Sequence, residues 1–349
     1  MTRLTIILLC TFFVASPAVG ERSPDEKKIN AVVDAAIRRG VDFMLSQQKK
    51  DGAIHDNRYH NTMTALSIMS LSAVGHQPTD DTREGRAMKR ALDYILKPER
   101  QEKDGYYGRK DNSRMYGHGI VTLMLAEMLG MGVNDEQDKV IRERLTKAVD
   151  LILRAQQVKK DSRYKGGWRY EPTTKDADLS VSAWQLISLR AAKNAGLKVP
   201  KESIELAVDY MKRSMGDHNQ KKVKNSDYFR YQPYSGGFRF GSASAGLLVM
   251  QICGQYEAPQ VAAAANHLVN VKIEKGLDHF YYGIYYYSQG MFQMKGKFAE
   301  HAKKVVPEVL SKLQQKDGSW NGSHGKVYCT AMSLLSLSIY HHYLPIYQR

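Results

Sequence analysis

The chain has 349 residues, a formal net charge of +15, 43% hydrophobic and 25% charged residues. That balance excludes a disordered polyelectrolyte, and the length allows one large domain or two small ones. Basic pairs such as Lys27-Lys28, Lys159-Lys160 and Lys303-Lys304 are scattered among acids. They describe a solvated basic face able to meet an anionic envelope surface, and no nucleic acid is expected as partner.

The first predicted element is a secretory signal over residues 1–20: Arg3, an apolar run from Leu4 to Ala15, then small residues at Ala18 and Gly20. Its removal leaves an exported chain, periplasmic or extracellular, with no transmembrane segment, because no other stretch reaches the ~18–20 apolar residues a spanning helix needs. A first amphipathic helix follows in KKINAVVDAAIRRGVDFMLSQQ, where Ile29, Val33, Ala36, Ile37, Gly40 and Met44 recur at helical spacing. Beyond a Gly-containing loop comes TALSIMSLSAVG, nearly free of charge and apolar all round, as in a helix buried on several sides.

This two-part unit recurs. ALDYILKPERQEKDGYYG precedes HGIVTLMLAEMLG, AVDLILRAQQVKKDSRYKGGW precedes LSVSAWQLISLRAAKNAG, and AVDYMKRSM precedes YSGGFRFGSASAGLLVMQICG. A degenerate copy pairs AAAANHLVNV with FYYGIYYYSQGMFQM, and the last pairs VLSKLQQKDGSW with CTAMSLLSLSIY. Gly75, Gly130, Gly196 and Gly254 stand where helix C-termini want a left-handed residue. Pro307 predicts that the last outer helix starts late or kinks. An open array would need polar end repeats, yet the first and last units are the best copies of each other. Residues 25 to 349 therefore read as all-α: a single α/α toroid of six helical hairpins, with a central cavity lined by inner-helix N-termini and the loops before them.

Gln314-Gln315-Lys316-Asp317-Gly318-Ser319-Trp320 resembles the Gln-Trp repeat of the squalene-hopene cyclase and prenyltransferase superfamily. Degenerate versions occur at Gln47 to Ala53, around Asp104-Gly105-Tyr106, and at Gly166-Gly167-Trp168. The motif's logic is structural: Asp-Gly turns tightly, the aromatic stacks on the outer layer and Gln can bond the start of the next helix. It identifies a scaffold, not an activity. The resemblance implies a single-barrel exported relative. Prenyltransferase chemistry would need zinc held by Asp, Cys and His, and Cys329 lacks the upstream Asp, so neither metal nor cofactor is expected. Cys253 and Cys329 read as buried thiols or, in an exported chain, a disulfide.

Class II terpene cyclases protonate an alkene from an Asp-x-Asp-Asp motif at the start of an inner helix. The resemblance places Asp176-Ala177-Asp178-Leu179 there, with Asp178 as acid, Asp176 as its partner and the third carboxylate missing. From the residues alone, Asp178 or Ser180 equally reads as the N-cap of the following helix. Tyr116, His118, Trp168, Tyr170, Tyr234, Phe238, Tyr285, Tyr286 and Tyr328 occupy comparable places before or within inner helices. If they face the cavity they can hold an isoprenoid-like ligand or steady a cation; otherwise they pack between layers. Three functions follow: a cyclase-like protein binding or cyclising an apolar ligand, a non-catalytic envelope scaffold, or a polysaccharide lyase or hydrolase using a Tyr, His and Arg cluster such as Tyr116, His118 and Arg114.

Overall fold

The computed structural model describes residues 24–56, 58–215, 226–340 and 346; the expected signal segment lies outside them. Twelve α-helices alternate along the described chain: α1 (Pro24–Ser46), α2 (His60–Ala73), α3 (Arg83–Leu96), α4 (Arg114–Met128), α5 (Asp135–Gln157), α6 (Leu179–Asn194), α7 (Lys201–Arg213), α8 (Phe240–Ile252), α9 (Pro259–Leu268), α10 (Phe280–Gln293), α11 (Gly296–Leu313) and α12 (Lys326–Leu337). Odd-numbered helices carry one apolar stripe: in α1, Val33, Ala36, Ile37, Gly40, Val41, Phe43 and Met44 are buried while Val32, Arg38, Arg39 and Asp42 meet solvent. Even-numbered helices are buried almost throughout; in α8 every residue from Phe240 to Ile252 is buried.

The even helices form a ring in which each packs on the next, and α12 closes onto α2; outside it, α1 packs against α11 and α12. The architecture is the expected α/α toroid of six hairpins. Gly75, Gly130, Gly196 and Gly254 take the expected left-handed backbone, with φ of 78–100°. Helix α11 begins at Gly296 and runs through Pro307, so the expected late start does not occur.

One loop device, repeated, spaces the outer layer. The amide of Gln314 donates to the carbonyl of Gly318 in its own loop and to that of Ala36 in α1, both at 2.9 Å. Gln48 bridges Gly52 to Ala87 of α3, Gln101 bridges Gly105 to Arg144 of α5, and Gln156 bridges Gly166 to Ser203 of α7, all within 3.0 Å. The glycine is required: at Gly318 φ is +85°, and a Cβ would lie 2.2 Å from the carbonyl oxygen of Arg39. Ser203 lies in the first turn of α7, at the expected helix start, whereas Ala36, Ala87 and Arg144 lie beyond the first turn of their helices.

A second device orients the inner helices. Several loops also serve the preceding inner helix: Asp111 Oδ2 accepts from the Thr62 N–H of α2 at 3.0 Å, and the carbonyls of Tyr170 and Tyr231 accept from Met115 of α4 and Leu179 of α6. Asp56, in the first loop, accepts from Val327 N–H of the last inner helix at 3.0 Å, sealing the ring. Orphan helix-start donors are thereby satisfied across unit boundaries.

Candidate functional site

Because every outer-to-inner loop lies at the same end, the six inner N-termini converge there on a cavity of about 770 Å³. All six inner helices line it, through Thr62 and Met63 of α2, Tyr116 and Ile120 of α4, Ser180 and Trp184 of α6, Gly241 and Ser242 of α8, Tyr282 of α10, and Tyr328 of α12. Arg114 adds the first residue of α4, and the loops add Tyr59, Asn112, Arg169, Tyr170, Tyr231, Arg239, Asp278, His279 and His324. Met63 and Ile120 are the only aliphatic side chains in this wall among the described residues. Tyr59, Asn112, Arg114 and His279 have φ of 46–59°, a conformation that non-glycine residues adopt at a cost. Strain of this kind collects where function fixes a side chain's position.

Asp178 is fully buried and is the N-cap of α6: its Oδ1 accepts from Val181 N–H at 2.9 Å and from the Ser180 hydroxyl at 2.7 Å. Its Oδ2 lies 3.4 Å from Nε of Arg169, whose guanidinium also pairs with the half-buried Asp176. Asp178 does not line the cavity; Ser180 does, and the Tyr116 and Ser180 hydroxyl oxygens are 2.5 Å apart. A chain of hydroxyls thus joins the buried carboxyl to the wall. Burial raises the Asp178 pKa above the usual carboxylate range, while Val181, Ser180 and Arg169 pull it back. Burial, then the charge of Asp178, pushes the Tyr116 phenol well above its ordinary value. Beside them the Tyr170 and Tyr231 hydroxyls are 2.6 Å apart, and Arg169 lies 5.0 Å from the Tyr170 ring centre.

Of the aromatic candidates from the sequence, Tyr116, Tyr170 and Tyr328 line the cavity. Tyr285 and Tyr286 are buried behind it, their ring centres 6.0 and 5.7 Å from that of Trp184. Phe238 packs on Tyr228 and on His267 of outer helix α9, and Tyr234 lies outside the wall. Trp168 is turned to the outer layer, its indole N–H donating to the Ile152 carbonyl of α5 at 2.9 Å.

His118 also departs from its expected place. Its Nδ1 accepts from Tyr107 N–H at 3.3 Å, so Nε2 carries the proton and donates to the Ala148 carbonyl of α5 at 3.0 Å. Thr64, Ser182 and Thr330 accept from the corresponding N–H groups of Ile54, Trp168 and Trp320 in other units. His118 is therefore the loop anchor of its repeat, and burial lowers its pKa to about 4. The histidines that do reach the cavity are His279 and His324, with Nδ1 of the first 3.4 Å from Nε2 of the second. Burial, then the neighbouring His279, lowers the pKa of His324.

Arg169, Tyr231, Arg239, His279 and His324 escape a reading of the sequence because they sit in irregular loops; positive φ at non-glycine residues leaves no signature there. Cys253 and Cys329 are free thiols. Among the described residues, no cluster of His, Cys, Asp and Glu has the makings of a metal site, and no helix is long and apolar enough to cross a membrane.

No protein-family profile matches the chain. No curated protein matches it either. Solved structures do. A cellobiose 2-epimerase from Spirochaeta thermophila superposes with a TM-score of 0.64 at 12% identity, covering 90% of this chain and 97% of that one. A type II terpene cyclase from Scytonema, in complex with its product merosterolic acid A, gives 0.59 at 14% identity over 90% and 98% of the two chains. An α-1,6-mannanase from a Salegentibacter species gives 0.59 at 11% identity over 89% and 98%. At these identities the likeness establishes the shared α/α toroid fold.

Proposed function

We propose that the toroid binds a hydroxylated, carbohydrate-like ligand in the cavity at the inner-helix N-termini, and that Tyr116 is the acid–base group of a lyase- or hydrolase-like site. The observation that carries this reading is the composition of the wall: tyrosines and Trp184 alternate with Arg114, Arg169, Arg239, Asp278 and two histidines, with Met63 and Ile120 the only aliphatic side chains among the described residues. Aromatic faces next to paired charged groups suit a ligand with apolar ring faces and hydroxyl edges. In the lyase step a ligand C–H proton passes to the Tyr116 oxygen while the Tyr116 proton moves to Ser180 and the Ser180 proton to the Asp178 carboxylate. The electron pair left on carbon forms a C=C bond as the neighbouring glycosidic C–O bond breaks, and the departing oxygen takes a proton from water.

The isoprenoid reading draws on Asp176-Ala177-Asp178, on the repeat resemblance and on the terpene cyclase neighbour. It requires an acid facing a dry apolar cavity, whereas Asp178 is sealed behind Ser180 and beside Arg169. We also propose that the protein works outside the cytoplasm, residues 1–20 being removed on export. N-terminal sequencing of the secreted form tests this.

The ligand test is a fluorescence titration with neutral and acidic oligosaccharides and, in parallel, isoprenoids including squalene, followed by mass spectrometry for products. The expected result is a sugar-dependent change lost in Trp184→Phe, and conversion lost in Tyr116→Phe with binding retained. Retention of isoprenoid without sugar binding overturns the proposal in favour of the cyclase-like reading; retention of neither favours an envelope scaffold.

A further inference from the structure

A second recess of about 400 Å³ adjoins the main cavity and shares Tyr59 and Asn112 with it; Arg58, His60, Lys110 and Asp111 complete its wall. Tyr59 stands on the boundary. With Val32 it is one of two large hydrophobic side chains exposed among the described residues, at 40%. It is also held in the left-handed region, with φ 46° and ψ 54°, at the N-cap of α2 without a capping bond from its side chain. A β-branched or aromatic residue gains nothing locally from that conformation. At 40% exposure Tyr59 lies outside the core, so core packing does not account for the strain.

The recess is unevenly charged. Asp111 is committed internally: Oδ2 accepts from the Thr62 N–H and hydroxyl, each at 3.0 Å, and Oδ1 from Ser113 N–H at 3.1 Å. Lys110 lies 3.5 Å from Glu102, and Arg58 has no ion-pair partner among the described residues. An acidic group entering the recess meets Arg58 and Lys110 with the intervening carboxylate already satisfied.

Building on the carbohydrate reading, we infer that the cavity and the recess are two subsites of one extended site. Tyr59 is the stacking platform between them, and the ligand is an oligosaccharide long enough to cross it with an acidic unit in the outer recess. The strained backbone then serves to keep the ring standing at the junction.

The test is calorimetry of the full chain with two length series, neutral glucans and oligouronates, from monosaccharide to hexasaccharide, on the wild type, Tyr59→Ala and Tyr59→Gly. Thermal melts verify that both variants are folded; glycine relieves the left-handed strain and guards against a folding artefact in alanine. Affinity is expected to climb with length, more steeply for uronates and less so at high salt. In both variants the affinity gained from monosaccharide to hexasaccharide should shrink by roughly an order of magnitude relative to wild type. Affinity independent of length, or a length gain that survives loss of the ring, overturns the extended site, and equal gains in the two series overturn the acidic assignment. If no sugar of any length or charge binds, the carbohydrate reading itself fails and takes this assignment with it.

Discussion

Replacing Asp178 by alanine and by asparagine removes different things. Alanine takes away the oxygen that receives Val181 N–H and the Ser180 hydroxyl, and leaves Arg169 with Asp176 alone. The expected cost is about 1–3 kcal/mol, combining a lost cap with unpaired buried donors. Asparagine keeps an acceptor in the Oδ1 place and should be milder by about 1 kcal/mol, while ending any proton uptake at this position. Urea unfolding of the two variants separates the roles; equal losses would mean that the cap is not what Asp178 contributes to stability. The same distinction bears on the sequence, where the choice between cap and acid stays open. Capping depends only on local backbone and is decided by two short bonds. Access to a ligand depends on Ser180 and Arg169 folding over the carboxyl, which no spacing in the chain encodes.

At the scale of the element, the Gln–Gly loop behaves as a replaceable clip. Gln101→Ala, within the ring, and Gln314→Ala, at the seam where α11 meets α1, each remove two bonds to backbone carbonyls. Each should cost about 1–3 kcal/mol. Gly318→Ala adds a Cβ 2.2 Å from the Arg39 carbonyl at φ +85° and should cost at least as much as Gln314→Ala. Urea midpoints for the three variants check the order; a harmless Gly318→Ala would show that the loop can move away from α1. Three of these clips were legible in the sequence because they are local and repeated, with Gly four positions after Gln between an amphipathic and an apolar helix; Gln156 and Gly166 are ten apart. His118 and Trp168 misled for a related reason. Standing before or within apolar helices, they share the register of cavity residues, but their hydrogen-bond partners belong to the outer layer, and one sequence does not reveal which way a side chain turns.

Across the whole molecule, closure of the ring gathers loops far apart in sequence into one wall, and α4 connects that end to the other. His118 near its start and Glu127 in its last turn are both buried, with opposite consequences for pH. Burial lowers the His118 pKa from 6.5 to about 4, so between those values the unfolded chain binds the extra proton and stability falls as the solution is acidified. Burial raises the Glu127 pKa from 4.5 to about 7, partly offset by the bond it accepts from Ile346 N–H. There the folded chain binds the extra proton, and stability falls as pH rises through that window. From about pH 4.5 to 6.5 the two slopes, each about 1.4 kcal/mol per pH unit, oppose each other. Glu127→Gln keeps an oxygen for Ile346 but removes the titration. Relative to wild type, it should gain stability progressively as pH rises from 4.5 to 7 and expose the acid sensitivity of His118. His118→Gln should show the reverse trend between pH 4 and 6.5, and the glutamate variant alone suffices should the glutamine at 118 fold poorly. Urea midpoints at half-unit steps of pH read both differences. A wild type and Glu127→Gln whose profiles run parallel would mean that Glu127 titrates as an ordinary solvated carboxylate, and that the far end of α4 is open to water.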